Sequence, residues 1–154
     1  MPIIFARVDD RLIHGQVVQA WLPELDIDEV VIPCPIDKEC RMNKNLLRLS
    51  LPFEYELTVM IPNRCVSYMM DSPKRILLLM GSLQDLKPLL EDGLQIKSLN
   101  IGGMHFKEGA HKLAENVFLD EQDKNTLRIL NDLGIEIETR AVPSSKSISV
   151  KEIL

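Results

Sequence analysis

Short apolar runs alternate with amphipathic helical patterns along nearly the whole chain, and this limits the fold more than any other feature. The runs are IIFARV (3–8), EVVIPC (29–34), ELTVMI (56–61), RILLLM (75–80), SLNI (98–101), VFL (117–119) and IEIETRAV (135–142). Several are apolar on consecutive residues, as strands covered on both faces must be. Only the last alternates, with Ile135, Ile137 and Thr139 opposite Glu136, Glu138 and Arg140, which suits a half-exposed strand at or near a sheet edge.

Helical patterns fill most of the gaps. In GQVVQAWLPEL, Val17, Val18, Trp21, Leu22 and Leu25 fall on one stripe. DKECRMNKNLLRLSL follows with Asp37 as its expected N-cap, and NRCVSYMM with Asn63 as its own. SLQDLKPLLEDG ends at Gly93, and Pro88 requires either a kink or a late start with the proline in the first turn. DEQDKNTLRILNDLG has Asp120 as cap, an apolar stripe at Leu127, Leu130 and Leu133, and Gly134 as its stop. Strand alternating with helix implies an α/β fold. The expected architecture is an open, doubly wound, mainly parallel sheet of about seven strands with helices on both faces. No linker or repeat divides it, so residues 1–154 read as one domain, near the common domain size.

Composition excludes several functions. A net charge of −5 with scattered Lys and Arg gives no footprint for nucleic acid. No apolar run approaches the ~20 residues of a membrane span, and MPIIFARVDD lacks a secretory start, so a soluble, cytoplasmic protein is expected. Cys34, Cys40 and Cys65 match no zinc spacing and read as reduced thiols, Cys34 as a packing residue. No metal site, nucleotide-binding motif or hydrolase motif is present, and no cofactor is expected.

Ligands of such sheets bind beyond the carboxyl ends of the strands. DDRLIHG (9–15) lies there after the first strand, and NIGGMHF (100–106) after the fifth. A histidine can accept a phosphoryl group if one ring nitrogen is free, the other is held, and positive charge meets the phosphoryl oxygens. His14 sits before a helix, whose first amides, at Gly15, Gln16 and Val17, would point at an anion. Arg11 offers a planar fork of donors, and Asp9 or Asp10 could hold the second ring nitrogen. Gly102 and Gly103 either present amides to the anion in a tight turn or simply serve a positive φ. Asp10, Gly15, Gln16, Gly102 and Gly103 thus form the expected phosphate-handling surround. His105 is a rival acceptor without a neighbouring arginine, and His111 reads as a surface residue. From residues alone, His14 as a helix cap in a small-molecule binder stays open beside His14 as a carrier.

RVDDRLIHGQVVQAWLPE resembles the signature of the enzyme IIB component of the mannose/fructose/sorbose family of the bacterial phosphoenolpyruvate-dependent sugar phosphotransferase system. The likeness continues in RILLLMGSLQDLKPLLEDG, IKSLNIGGMHFKEGAHKLAENVFLDEQD and LNDLGIEIETRAVPSSK, nearly the whole chain. It implies a phosphotransferase in which His14 accepts a phosphoryl group on Nδ1 from phosphohistidine of a IIA domain. The group then passes to a sugar bound by the membrane components IIC and IID. Arg11 would stabilise the group in flight and Asp9 support the loop, with attachment to the membrane's inner face through IIC and IID. A regulatory IIB-like phosphoprotein without a dedicated transporter is the alternative. The chain departs from the family pattern in the turn PCPIDKECRMNKN, which leaves the choice of sugar open.

Overall fold

The computed structural model describes residues 3–151 and 154. Seven strands form one sheet in the order β3 (Glu56–Met60), β2 (Glu29–Pro33), β4 (Ile76–Met80), β1 (Ile3–Asp9), β5 (Ser98–Gly103), β8 (Glu136–Thr139), β9 (Ile148–Ser149). Every pairing is parallel except β8 with β9. VFL does not join this sheet: as β7 (Val117–Leu119) it pairs with β6 (His111–Ala114) in a separate antiparallel ribbon. The seventh strand of the main sheet is instead the two-residue β9, too short and polar to show as an apolar run. β8 lies one strand from the edge, as its alternation suggested.

The chain runs β1–β2–β3 toward one edge and β3–β4–β5–β8 toward the other. Right-handed crossovers then put the two sets of connections on opposite faces. Accordingly Val17, Leu22, Leu47 and Leu51 pack on one face against Val30, Ile32, Leu77 and Leu79. The helices α3 (Pro62–Asp71), α4 (Leu86–Glu91) and α5 (Glu121–Asp132) supply Met69, Leu86, Leu89, Leu127 and Leu130 to the other. β2 and β4 are buried at every residue, which is why they are apolar throughout.

Local signals held unevenly. Asp120 caps α5 in a reciprocal capping box with Asp123, and Gly134 follows in the left-handed region at φ 83°. Pro88 is the third residue of α4, the late-start alternative, and Gly93 follows the helix at φ 96°. Asp37 caps nothing: α1 (Glu39–Met42) starts after Lys38, and α2 (Lys44–Ser50) follows a one-residue break at Asn43. Asn63 lies inside α3, because Pro62 takes N1, where its missing N–H costs nothing. After β1 the chain makes only a short helical turn containing a π-turn, Val17–Trp21.

The reduced-thiol reading needs correction. Cys34, buried at the end of β2, is joined to Cys40 of α1 in a disulfide, with Cα atoms 6.3 Å apart. The turn at 35–38 folds six residues of separation back into bridging range, a geometry that metal-site spacing rules do not cover. Cys65 is a buried free thiol, pushed up to about 12 by burial.

Candidate phosphoryl-transfer site

β1 is the central strand, and its alternation sends Phe5, Arg7 and Asp9 to one face while Ala6 and Val8 enter the core on the other. The polar face is built around Arg7, which is fully buried. Its guanidinium donates to Asn100 Oδ1 at 2.6 Å, Asp9 Oδ2 at 2.9 Å, and the carbonyls of Arg140 and Ala141 at 3.1 Å each. Phe5 stacks on Trp21 with centroids 4.7 Å apart, and the Arg7 and Arg140 guanidiniums lie 5.1 and 5.2 Å from that indole. Trp21 Nε1 donates to the Ala141 carbonyl at 2.7 Å. Burial pulls the Arg7 guanidinium down, and Asp9 opposes that pull.

Asp9, also fully buried, organises the loop that follows. Its Oδ1 accepts from the Arg11 backbone N–H at 3.1 Å, an Asx-type turn, and from Arg11 Nε at 2.9 Å. Its Oδ2 accepts from Arg11 Nη2 at 2.9 Å, and Arg11 Nη2 also reaches Gln16 Oε1 at 3.0 Å. Burial drives the Asp9 carboxyl up, but Arg11 and then Arg7 outweigh it and hold it below the usual carboxylate range.

His14 faces the same carboxylate, with Nε2 3.6 Å from Asp9 Oδ2. Nε2 is buried without a hydrogen-bond partner, while Nδ1 donates to the Leu12 carbonyl at 2.8 Å. Leu12 holds that carbonyl in place from the left-handed region, at φ 55°, a strained setting for a side chain branched at Cγ. The first helical bond after the loop is Val18 N–H to the His14 carbonyl, so the amides of Gly15, Gln16 and Val17 precede the ladder. A Cβ on Gly15 would meet nothing within 4 Å, so the approach beside His14 is open.

The second loop comes to the first as the topology implied. Asp10 accepts from the His105 backbone N–H and from His105 Nδ1, both at 2.6 Å, and its own N–H donates to the Gly103 carbonyl at 3.1 Å. Asp10 thus binds the two loops together. Gly102 and Gly103 end β5 and neither has a positive φ, so neither reason given for them applies. Their hydrogens make room instead: a Cβ on Gly102 would lie 1.9 Å from Arg7 Nη2, and one on Gly103 2.9 Å from Asp9 Oδ1. His111 is an exposed residue of β6.

Sequence reasoning passed over Arg7, Asn100 and Arg140. The available signal was an arginine inside an otherwise apolar central strand, where an unpaired charge could not survive. Beside the loop opens a cleft of about 420 Å³ lined by Arg11, Leu12, Lys38, Cys40 and Asp85. Burial raises the Asp85 carboxyl. Among the described residues no three His, Cys, Asp or Glu side chains gather as metal ligands, and no helix is long and apolar enough to cross a membrane.

Comparison with known proteins matches residues 3–154 to the family described as the PTS system sorbose subfamily IIB component. The chain is 32% identical over 155 residues to the sorbose-specific EIIB component of Lacticaseibacillus casei, covering 97% of this chain and 93% of that one. It is 31% identical to the mannose-specific EIIAB component of Escherichia coli K12, covering 100% of this chain but 49% of that protein. The crystal structure of the IIBSor domain of the sorbose permease from Klebsiella pneumoniae superposes with a TM-score of 0.89 at 31% identity. That match covers 99% of this chain and 95% of the domain.

Proposed function

The chain belongs to the sorbose subfamily of phosphotransferase-system IIB components, a family of phosphotransferases, and from that premise we propose that His14 is its phosphoryl carrier. Residues 1–154 act as one phosphocarrier unit. Phosphohistidine of a IIA partner gives up its phosphoryl group as the donor N–P bond breaks and a new one forms to His14. The His14 N–P bond then breaks as an O–P bond forms to a sugar hydroxyl, whose proton passes to the freed ring nitrogen. Membrane IIC and IID components would hold that sugar, and the chain would work at the cytoplasmic face of the membrane beside them. The name of the mannose-specific relative, which joins A and B components, is in keeping with a IIA donor.

The observation that carries the reading is the sharing of Asp9 by Arg7, Arg11 and His14 at the end of the central strand. Arg7 and Arg11 share the Asp9 carboxylate while the loop's other acid, Asp10, is turned to His105, so the approaching phosphoryl oxygens meet guanidinium attraction. Arg11 stands nearest that approach as the clamp. Asp9 sets its direction and can accept a proton-bearing Nε2, which leaves Nδ1 with the lone pair. Acceptance at Nδ1 therefore requires the Leu12 carbonyl to turn away and the His14–Asp9 contact to close to hydrogen-bond length. Strain at Leu12 favours that release. Gly15 and Gln16 line the open side, and catalysis is by positioning and charge.

The test is incubation with phosphoenolpyruvate, enzyme I, HPr and a cognate IIA. About one acid-labile phosphoryl group should be incorporated, following the single-nucleophile logic. His14→Asn should incorporate none, and undiminished labelling of that variant would remove His14 from the role.

A further inference from the structure

We propose that residues 36–53 form a face that seats directly on an anionic phospholipid bilayer. This segment, which contains α1 and α2, is apolar on the wrong side for a helix pair that only covers the sheet. Leu47 and Leu51 anchor it to the core. On α2, Leu46 and Leu49, three residues apart, fall within an arc of about 60° pointing away from those anchors, at ~100° per residue, and Met42 precedes them on α1. With Ile36 and Phe53, these side chains are between 62% and 90% exposed. Eleven large hydrophobic residues are exposed among the described residues, and these five all fall in this one segment. That concentration separates them from the scattered apolar surface normal to soluble proteins.

Charge decides what kind of surface the ridge fits. From Ile36 to Phe53 the chain carries Lys38, Arg41, Lys44 and Arg48 against Asp37 and Glu39, a net +2, although it has 23 acids against 18 bases overall. The Arg48 guanidinium lies 5.5 Å from the Phe53 ring and donates to the carbonyls of Pro52 and Tyr55, so a cation is fixed beside the apolar tip. An outward apolar ridge flanked by cations matches an amphipathic segment lying in the headgroup plane, with side chains in the acyl boundary and cations among the phosphates. The ridge adjoins the cleft beside Arg11, which Leu46 and Leu47 also line. Seating it on lipid would therefore bring that cleft to the membrane surface. The inference does not depend on which residue carries the phosphoryl group.

The test is flotation of the intact protein with vesicles of phosphatidylcholine alone or mixed equally with phosphatidylglycerol. Binding to the mixed vesicles should exceed binding to the neutral ones at least tenfold and fall steeply with salt. Leu46→Asp/Leu49→Asp and Arg41→Glu/Lys44→Glu should each abolish it, with circular dichroism unchanged. Ile129→Asp, at an exposed apolar position on α5, should leave it intact. No binding, equal binding to neutral vesicles, or binding unaffected by the two double variants would overturn the proposal. So would variants that keep lipid binding but fail to bind a purified membrane or IIA partner, since a protein groove would then cover the ridge.

Discussion

Oδ2 of Asp9 receives Nη2 of Arg7 and Nη2 of Arg11, each at 2.9 Å, and lies 3.6 Å from Nε2 of His14. One buried oxygen thus couples a fixed structural cation, a cation at the cleft and a ring able to gain or lose a proton. Removing any member changes the charge seen by the other two.

Arg11→Ala should slow phosphoryl transfer by about 10²-fold, the usual cost of losing one preorganised donor at a reacting group. Its effect on stability should exceed that of an ordinary loop residue, roughly 1–2 kcal/mol, because charge-assisted bonds to a buried carboxylate are lost. Single-turnover labelling and urea denaturation measure the two. Equal transfer rates in variant and parent would exclude Arg11 from the clamp.

Arg7→Met should cost about 3–5 kcal/mol, since it leaves the Asp9 charge buried with one partner fewer. Asp9→Asn in the same chain should return part of that loss, because the uncompensated charge is gone. A double-mutant cycle from urea midpoints reads the coupling. Strict additivity would mean that the Arg7–Asp9 pair does not hold the site together.

Acid should act on buried Asp9 and half-buried Asp85 with opposite sign. Asp9 titrates lower folded than unfolded, so its stabilisation is complete above its unfolded value of about 4 and is lost as pH falls through the folded value. Asp85 titrates higher when folded, so its ionisation costs stability at neutral pH. Asp85→Asn should therefore raise the midpoint at pH 7 and lose that advantage below about pH 4, whereas Asp9→Asn should lower it at pH 7. Denaturation midpoints from pH 2.5 to 7.5 separate them, and a common sign for both variants would contradict the assignment.

Gly102→Ala should destabilise by roughly 3 kcal/mol, near the upper end for overpacking, because its methyl meets an Arg7 guanidinium already fixed by four acceptors. Gly15→Ala should be neutral or stabilising by under ~1 kcal/mol, since the new methyl meets nothing and Ala favours a helix. If the open side of His14 is the route of the phosphoryl group, Gly15→Ala should nonetheless slow transfer. Thermal melts and labelling rates distinguish stability from access.

Reducing the Cys34–Cys40 bond should lower stability by about 2 kcal/mol, the loop-closure value for a ring this small. Cys34→Ser/Cys40→Ser should match the reduced parent, and an unchanged melting curve on adding dithiothreitol would contradict it.

What the sequence made legible was the part governed by local pattern. Consecutive apolar residues marked β1 to β5, alternation marked β8, and Asp120 with Gly134 bounded α5, because each signal lies within one element. β6 and β9 escaped because the four residues of one and the two of the other, half-exposed or exposed, bury too little to leave an apolar run. In the site, His14, Arg11 and Asp9 were readable as neighbours in one loop. Arg7, Asn100 and Arg140 were not, because their partnership spans 93 and 133 positions and exists only once β1, β5 and β8 lie side by side. Gly102 was noticed but misread, since the atom it makes way for belongs to a side chain nearly a hundred residues earlier.

The Arg7 and Trp21 contacts to the carbonyls of Arg140 and Ala141 have a consequence for synthesis. During synthesis the DDRLIHG loop leaves the ribosome well before residues 140 and 141, which carry two acceptors of the guanidinium behind it. Until then Arg7 cannot satisfy its donors, and Asp9 lacks the anchor that aims Arg11. The DDRLIHG loop is thus completed long after it is translated, so a chain cut before residue 140 would display the motif without its preorganised charge. A partner protein that recognises that charge would in effect be checking that translation had passed residue 141.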